Sequence, residues 1–524
     1  MTNVLSHDET QNIMSYVPDK NISPLYEETP EMDNQIFLGS KAFYLKKLYL
    51  WKYPVPTGFI ITTEVFRILN SINKLQSLNS EFDDLLRLHI SKLEHLTGLK
   101  FGDAKNPLLL SVRSGSTISM PGIMNTFLNV GLNDEITEAL SKRNNYRWTS
   151  WDCYRRLIQT WGMSFGLDRN EFDQIMIDYK QKYNISKKID FPPQTMREIA
   201  YSYKQLLIDN GIHFETDPFL QIKQAIISVF NSWNVSRAKV YREHMQVADE
   251  WGTAVLIQKM VFGNMHRESG SGVLFTHDNQ ANVSGINIVG DFSFLTQGED
   301  IVAGLVNTLP ISERQRLTSY HDKSISLESV YPKIFKRLEE ISRELLEIRD
   351  FGHQEIEFTF ETAAPEDLYI LQTRDMEIIK KEKMKIFAIS QKEMERVGCG
   401  IGIGKGVLNG VTIFDQEDLI TLRKSNKDQN AVLVRPDTVP DDIEIIFDCE
   451  GLLTGKGGAT SHAAVTAANL GKICVVNCTN MNVFEREKKC VIGGHTFSSF
   501  DPIAIDGING IIYKGNYPIE IKEL

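Results

Sequence analysis

The segment 454–471, TGKGGATSHAAVTAANLG, constrains this chain more than any other. Gly455, Gly457 and Gly458, a Thr-Ser pair and His462 stand directly before a run of small residues. The pattern reads as a strand, a glycine-rich turn and a helix opening near His462. Thr460 or Ser461 is the candidate N-cap, and Gly471 the candidate C-terminal stop. The first backbone N–H groups of a helix have no intrahelical partner, and the helix dipole favours negative charge there. A phosphorylated imidazole at that point meets donors already in place, and the glycines let backbone N–H groups approach without a Cβ in the way. Taken alone, the same residues also fit a histidine that merely opens a buried helix, because glycine-rich turns before helices are common.

A chain of 524 residues has room for about two to four domains, each with its own core. Hydrophobic content of 42% and charged content of 24% are those of a globular protein. A formal net charge of −11 argues against nucleic acid as the main partner. No apolar run reaches membrane-spanning length, and the opening MTNVLSHDETQN is too polar for a signal peptide. Neither a nucleic acid nor a membrane is therefore expected as a partner. The six cysteines are scattered and lack histidines at zinc spacing, so they read as reduced thiols. The expected location is the cytoplasm or the interior of an organelle.

Texture divides the chain. Residues 1–30 read as a polar lead-in. Residues 31–375 read as an α/β unit interrupted at 150–245 by a stretch with helical periodicity. Residues 376–399, rich in Lys, Glu and Met, read as a helical connector, and 400–524 return to alternating strands and helices.

Four constellations in the first part suggest nucleotide chemistry. In LGSKAFYLKKL, Gly39 and Ser40 precede Lys41 at a helix start, where a lysine can reach a phosphate held by the turn, although the P-loop spacing is absent. In LLLSVRSGSTISMPGIMNTF, a hydrophobic strand delivers Arg113 into a polar loop containing Gly115, Pro121 and Gly122. A guanidinium so placed can grip phosphate oxygens through its fork, or form a structural salt bridge. In HQEIEFTFE, strand alternation puts Glu355 and Glu357 on one face and Ile356 and Phe358 on the other, and in LYILQTR Gln372 and Arg374 share a face. Paired as a hairpin, these side chains offer hard oxygen ligands for Mg²⁺ and a guanidinium for phosphate; cross-strand ion pairing accounts for them equally well. In GNMHRESGSGVLFTH, Gly270 and Gly272 suggest a close approach of the backbone to something, and Glu268 is a candidate ligand.

In order along the chain, SVRSGSTISMPGIMNTFLNVGLN, WGTAVLIQKMVFGN, SGSGVLFTH, QGEDIVAG, QEIEFTFE, LYILQTR and GGATSHAAV resemble the pyruvate, phosphate dikinases, within the phosphoenolpyruvate-utilising enzymes. The resemblance runs from about residue 34 to about 516. It implies an α/β (α+β) fold: an ATP-grasp-type nucleotide-binding unit with a helical insertion, then a swivelling α/β phosphohistidine domain. It implies ATP as substrate, Mg²⁺ as cofactor and inorganic phosphate as a further reactant. His462 would be the catalytic residue that takes the phosphoryl group. Lys41, Arg113 and Arg374 would hold phosphates, with Gly122, Glu268, Glu355 and Gln372 also on the nucleotide side. Glu357 and Gln372 would face the metal, and Thr460 matches the threonine that plant dikinases phosphorylate to switch the enzyme off.

The chain also departs from the family pattern. Gly-Gly-Lys-Gly becomes Gly39-Ser40-Lys41-Ala42, Glu355 replaces an aspartate, Asn125 replaces an aspartate in the lid loop, and Lys456 replaces an arginine. Nothing after the histidine domain resembles the family's barrel for pyruvate and phosphoenolpyruvate. The expectation is therefore an ATP-dependent phosphotransferase that phosphorylates its own His462 for onward transfer to pyruvate or another acceptor, its barrel being a separate chain or missing. A stand-alone phosphotransferase to a different small-molecule or protein acceptor is the alternative, and a non-catalytic nucleotide-binding regulatory protein is the third reading. A homodimer is a further expectation.

Overall fold

The computed structural model describes residues 18–522 apart from 119, 121, 279–284, 303, 305, 320–323, 377–383, 405, 438–441 and 457–469. The chain divides into two compact units. The first comprises Met1–Arg267 with Tyr369–Thr373, the second Glu268–Leu368 with Arg374–Leu524.

The first unit is built on a five-stranded sheet. In chain order its strands are β1 (Ile22–Pro24), β2 (Gly58–Ile61), β3 (Leu110–Gly115), β4 (Thr126–Val130) and β5 (Ala254–Lys259), arranged β1-β2-β5-β3-β4. All four pairings are antiparallel. The helix Gln35–Leu50 starts where Asn34 accepts bonds from the Ile36 and Phe37 N–H groups, which satisfies two of its orphan donors. Five longer helices, Thr149–Ser164, Arg169–Tyr183, Pro193–Asp209, Pro218–Ser232 and Ser236–His244, fill the stretch read as helical from sequence. Two of them begin with proline, whose fixed φ suits the first helical position. Their apolar faces close one core around Trp161, Tyr154, Phe172, Tyr203, Ile226 and Phe230, all at most 1% exposed.

The second unit holds β6 (Gly270–Phe275), β7 (Val289–Phe294), β8 (Leu309–Pro310) and β9 (Gln354–Phe360), with β9, β6, β7 and β8 side by side in that order. Strand β10 (Leu368–Asp375) gives its ends to this unit and its middle to the first. Further along come β11 (Met384–Phe387), β12 (Arg396–Cys399), β13 (Ile401–Ile403), β14 (Val407–Ile413), β15 (Ala431–Arg435), β16 (Gly451–Thr454) and β17 (Ile473–Val476). The remaining strands are β18 (Met481–Phe484), β19 (Lys489–Ile492), β20 (His495–Ser498), β21 (Pro502–Asp506), β22 (Ile511–Lys514) and β23 (Ile519–Lys522). Eight of these form one sheet, ordered β12-β22-β21-β14-β15-β16-β17-β13. Its centre is parallel, β14 to β15 to β16 to β17. That explains the unbroken buried runs Ala431–Val434 and Cys474–Val476, since a parallel strand is covered on both faces.

The connector reading needs one correction. Residues 384–399 are not helical: β11 pairs with β23, a single 3₁₀ turn covers Gln391–Glu393, and β12 pairs with β22. Backbone pairing at the sheet edges overrode the helix propensity of the Lys and Glu residues. The six cysteines are free thiols. No described helix is long and apolar enough to cross a membrane.

Candidate functional site

The residues singled out from sequence fall in three places: four in the first unit, four in the second, and two outside the described residues.

In the first unit, Lys41 follows a break in its own helix. Gly39 has φ +71°, and a Cβ there would sit 1.9 Å from the Gly115 carbonyl oxygen. Only glycine permits that approach, so the Gly39-Ser40 turn lies directly against the end of β3. Ser40 N–H donates to the Ser116 carbonyl at 3.0 Å, and Lys41, half-buried, opens the helical segment beyond. Arg113 sits on the same strand β3, opposite Leu256 of β5 and Thr126 of β4. Its Nη1 donates to the Leu371 carbonyl at 3.1 Å. This bond and that from Ile370 N–H to the Pro54 carbonyl attach the middle of β10 to this unit. Gln372, next to Leu371, is 8% exposed, and its Oε1 is buried with no hydrogen-bond partner among the described residues. Gly122 takes φ +70° in the loop after β3. That loop ends at Asn125, whose N–H and Nδ2 donate to Ser232 and Ser228 on the helix Pro218–Ser232.

In the second unit, alternation along β9 buries Ile356 and Phe358 completely and places Glu355 and Glu357 on the opposite face. Glu355 is 8% exposed and accepts Arg374 Nη2 on both oxygens, at 2.6 and 2.8 Å. Burial pushes the Glu355 carboxyl up, Arg374 draws it back, and Glu357 adds to the rise, leaving it above its usual range. The expected cross-strand convergence of Glu355 and Arg374 is present, as an ion pair. Gln354 Nε2 donates to Asp375 at 2.6 Å beside it. Glu357 is half-buried. Glu268 is exposed, just before β6, and near enough to Tyr331 to add to the rise that burial gives that phenol. Gly270 and Gly272 have a packing explanation: a Cβ at either would meet the rings of Phe360 and Phe358, at 2.6 and 2.4 Å.

His462 and Thr460 lie outside the described residues, as do Gly457 and Gly458. The approach to them is described. Strand β16 ends at Thr454, whose hydroxyl donates to the Lys456 carbonyl at 2.6 Å. Gly455 and Lys456 N–H donate to the carbonyls of Arg435 and Pro436. Gly471 takes φ +65°, and β17 begins two residues later. Thr454 is the carboxyl end of β16, a strand with a parallel neighbour on each side.

The oxygen donors present are of the chemical type that magnesium binds. In the first unit Gln372 offers a buried amide oxygen with no hydrogen-bond partner among the described residues, and in the second Glu357 offers a carboxylate; each is of the type a hard cation takes. No group of three or more His, Cys, Asp or Glu side chains able to hold a metal occurs among the described residues, so nucleotide phosphates would have to complete the shell. Sequence reading missed two features of the first unit. One is the Ser40 hydroxyl, which donates to the Thr117 carbonyl at 2.5 Å. The other is Asp152, fully buried among Arg155, Arg156, Lys188 and Asn264. The Asp152-Arg155-Arg156 spacing, three and four along one helix, was the available signal for the second.

Comparison with known proteins gives two family matches. Residues 74–330 match the pyruvate phosphate dikinase AMP/ATP-binding domain, and residues 427–510 the mobile domain of PEP-utilising enzymes. Among curated relatives, proteins named pyruvate, phosphate dikinase from Rickettsia typhi and Clostridium symbiosum are each 34% identical, over 92% and 93% of this chain. One of the same name from Entamoeba histolytica is 32% identical over 93%. The chain spans 56 to 57% of the length of these relatives.

Proposed function

We propose, from the matches of its AMP/ATP-binding and mobile domains to those of the pyruvate, phosphate dikinases, that this pyruvate, phosphate dikinase-like chain phosphorylates its own His462 from ATP. The observation that carries this reading is the presence in one chain of both domains, with identity extending over 92% of its length.

In the proposed reaction an imidazole nitrogen of His462 attacks the β-phosphorus of ATP. The N–P bond forms, the bond between that phosphorus and the bridging oxygen to the α-phosphate breaks, and AMP leaves with the electron pair. Inorganic phosphate then attacks the terminal phosphorus of the pyrophosphoryl group, pyrophosphate departs, and phosphohistidine remains for transfer to pyruvate or another acceptor. A neutral imidazole attacks without losing a proton, so the protein's task is positioning and charge neutralisation. We assign phosphate contacts to Lys41 and Arg113. Arg374, which donates to Glu355, would be a further phosphate contact. Gly122 would close over the nucleotide with its loop, and Glu268 would be a further contact. Glu357 and Gln372 would hold magnesium, which when bound supplies positive charge to the phosphate oxygens. Thr460 is a candidate regulatory position.

The products test the chemistry: with Mg²⁺, ATP and phosphate, dikinase-type transfer releases AMP and pyrophosphate, and release of ADP alone sinks it. Gln372→Leu gives a second test. Its Oε1 has no hydrogen-bond partner among the described residues, so leucine should leave stability unchanged or slightly higher. AMP formation should nonetheless fall about tenfold or more. A variant as active as wild type would remove Gln372 from the metal side.

A further inference from the structure

We propose that Ser40 is a positioning residue: its hydroxyl clasps the root of the loop that follows Arg113 to the turn that precedes Lys41. The proposal rests on the nucleotide-binding reading above.

The clasp has three parts, in register. Gly39 and Gly115 are in backbone contact; a Cβ on Gly39 would fall 1.9 Å from the Gly115 oxygen, and one on Gly115 would fall 3.1 Å from the Leu38 oxygen. Ser40 N–H donates to the Ser116 carbonyl at 3.0 Å. Ser40 Oγ donates to the Thr117 carbonyl at 2.5 Å. The first two are backbone features available to any residue at position 40. The third needs a side chain with a hydroxyl, and it reaches one residue further into the loop than the backbone can. Ser116 Oγ in turn donates to the Ile118 carbonyl at 2.5 Å, extending the ordered stretch away from the clasp. Lys41 is the next residue after Ser40, and Arg113 lies two residues before Gly115 on β3. The hydroxyl therefore couples the two segments assigned to phosphate binding, and holds the loop root in place before nucleotide arrives. Holding it in advance lowers the ordering cost of binding.

Removing the hydroxyl should leave the sheet and helix intact while loosening the loop root. In Ser40→Ala, the amides of residues 116–118 should exchange with deuterium faster in nucleotide-free protein, with the thermal midpoint unchanged. Its affinity for Mg²⁺-ATP, by calorimetry, should be about threefold to tenfold weaker, the loss of one hydrogen bond. Ser40→Thr, which keeps the hydroxyl, should restore both. Wild type that fails to bind Mg²⁺-ATP would refute the functional reading itself. Wild type that binds, with Ser40→Ala binding equally well or exchanging no faster, would overturn the role given to Ser40.

Discussion

Replacing Asp152 with alanine is expected to remove about 3–5 kcal/mol of stability from the first unit. That is a large share of the roughly 5–15 kcal/mol that holds a typical domain together. Asp152 is 0% exposed on the helix Thr149–Ser164. Its Oδ1 accepts Arg155 Nη2 at 2.9 Å and lies 3.1 Å from Lys188 Nζ, while its Oδ2 accepts Arg156 Nε at 2.9 Å and Asn264 Nδ2 at 3.2 Å. Arg155 and Arg156 are themselves 5% and 7% exposed. Deleting the carboxylate takes from two buried guanidinium groups the acceptor they share, which costs far more than the net worth of an intact pair. All six tryptophans lie in the first unit, so tryptophan fluorescence during denaturation reports on that unit. The midpoint should fall sharply in Asp152→Ala and by a similar amount in Asp152→Asn, which keeps the shape and loses the charge. An unchanged midpoint would mean that the cluster is solvated and inconsequential.

The same carboxylate predicts an acid response. Burial pushes the Asp152 carboxyl up, but Arg156, Lys188 and Arg155 more than offset this and hold it well below the usual carboxylate range. Its folded pKa is thus lower than its unfolded value, and the unfolded chain takes the proton first. The stabilisation is fully present above about pH 4 and is lost as pH falls through the folded value. Asp152→Asn should lack this part of the acid loss.

The second large effect is on chemistry. Arg113→Met should slow phosphorylation of His462 by about 10²–10³-fold, the usual consequence of removing one donor from a site where charge develops. Arg113 is held by its strand and by the Leu371 carbonyl, so its orientation is set before nucleotide binds. Arg113→Lys keeps the charge without the fork and should recover only part of the rate. Tryptophan fluorescence should show both variants folded. A rate within twofold of wild type in Arg113→Met would take this arginine out of the phosphate grip.

Much of this was legible in the sequence because the signals were local. The helical periodicity of 150–245 and the alternation along 354–360 each follow from the period of a single element. What was not legible depended on partners far apart in sequence. Gly270 and Gly272 suggested a ligand, yet the neighbours they make room for are Phe360 and Phe358, some ninety residues on. Arg374 read as a phosphate ligand, and its binding to Glu355 depends on where β10 lies beside β9. The stretch after Arg374 carried helix-forming residues, and sheet-edge pairing with β22 and β23 decided otherwise. Ser40 looked like a lost glycine; only the 77-residue return of the chain to Thr117 gives its hydroxyl an acceptor.

The most direct test of the account is the fate of the β-phosphate of ATP. The protein is incubated with Mg²⁺ and β-labelled ATP, digested under alkaline conditions, and the label located by peptide. The account predicts an acid-labile, base-stable label on the peptide carrying His462, AMP in solution, and no label in His462→Ala. A wild-type protein that binds ATP yet takes no label, or a label that persists in His462→Ala, would contradict it.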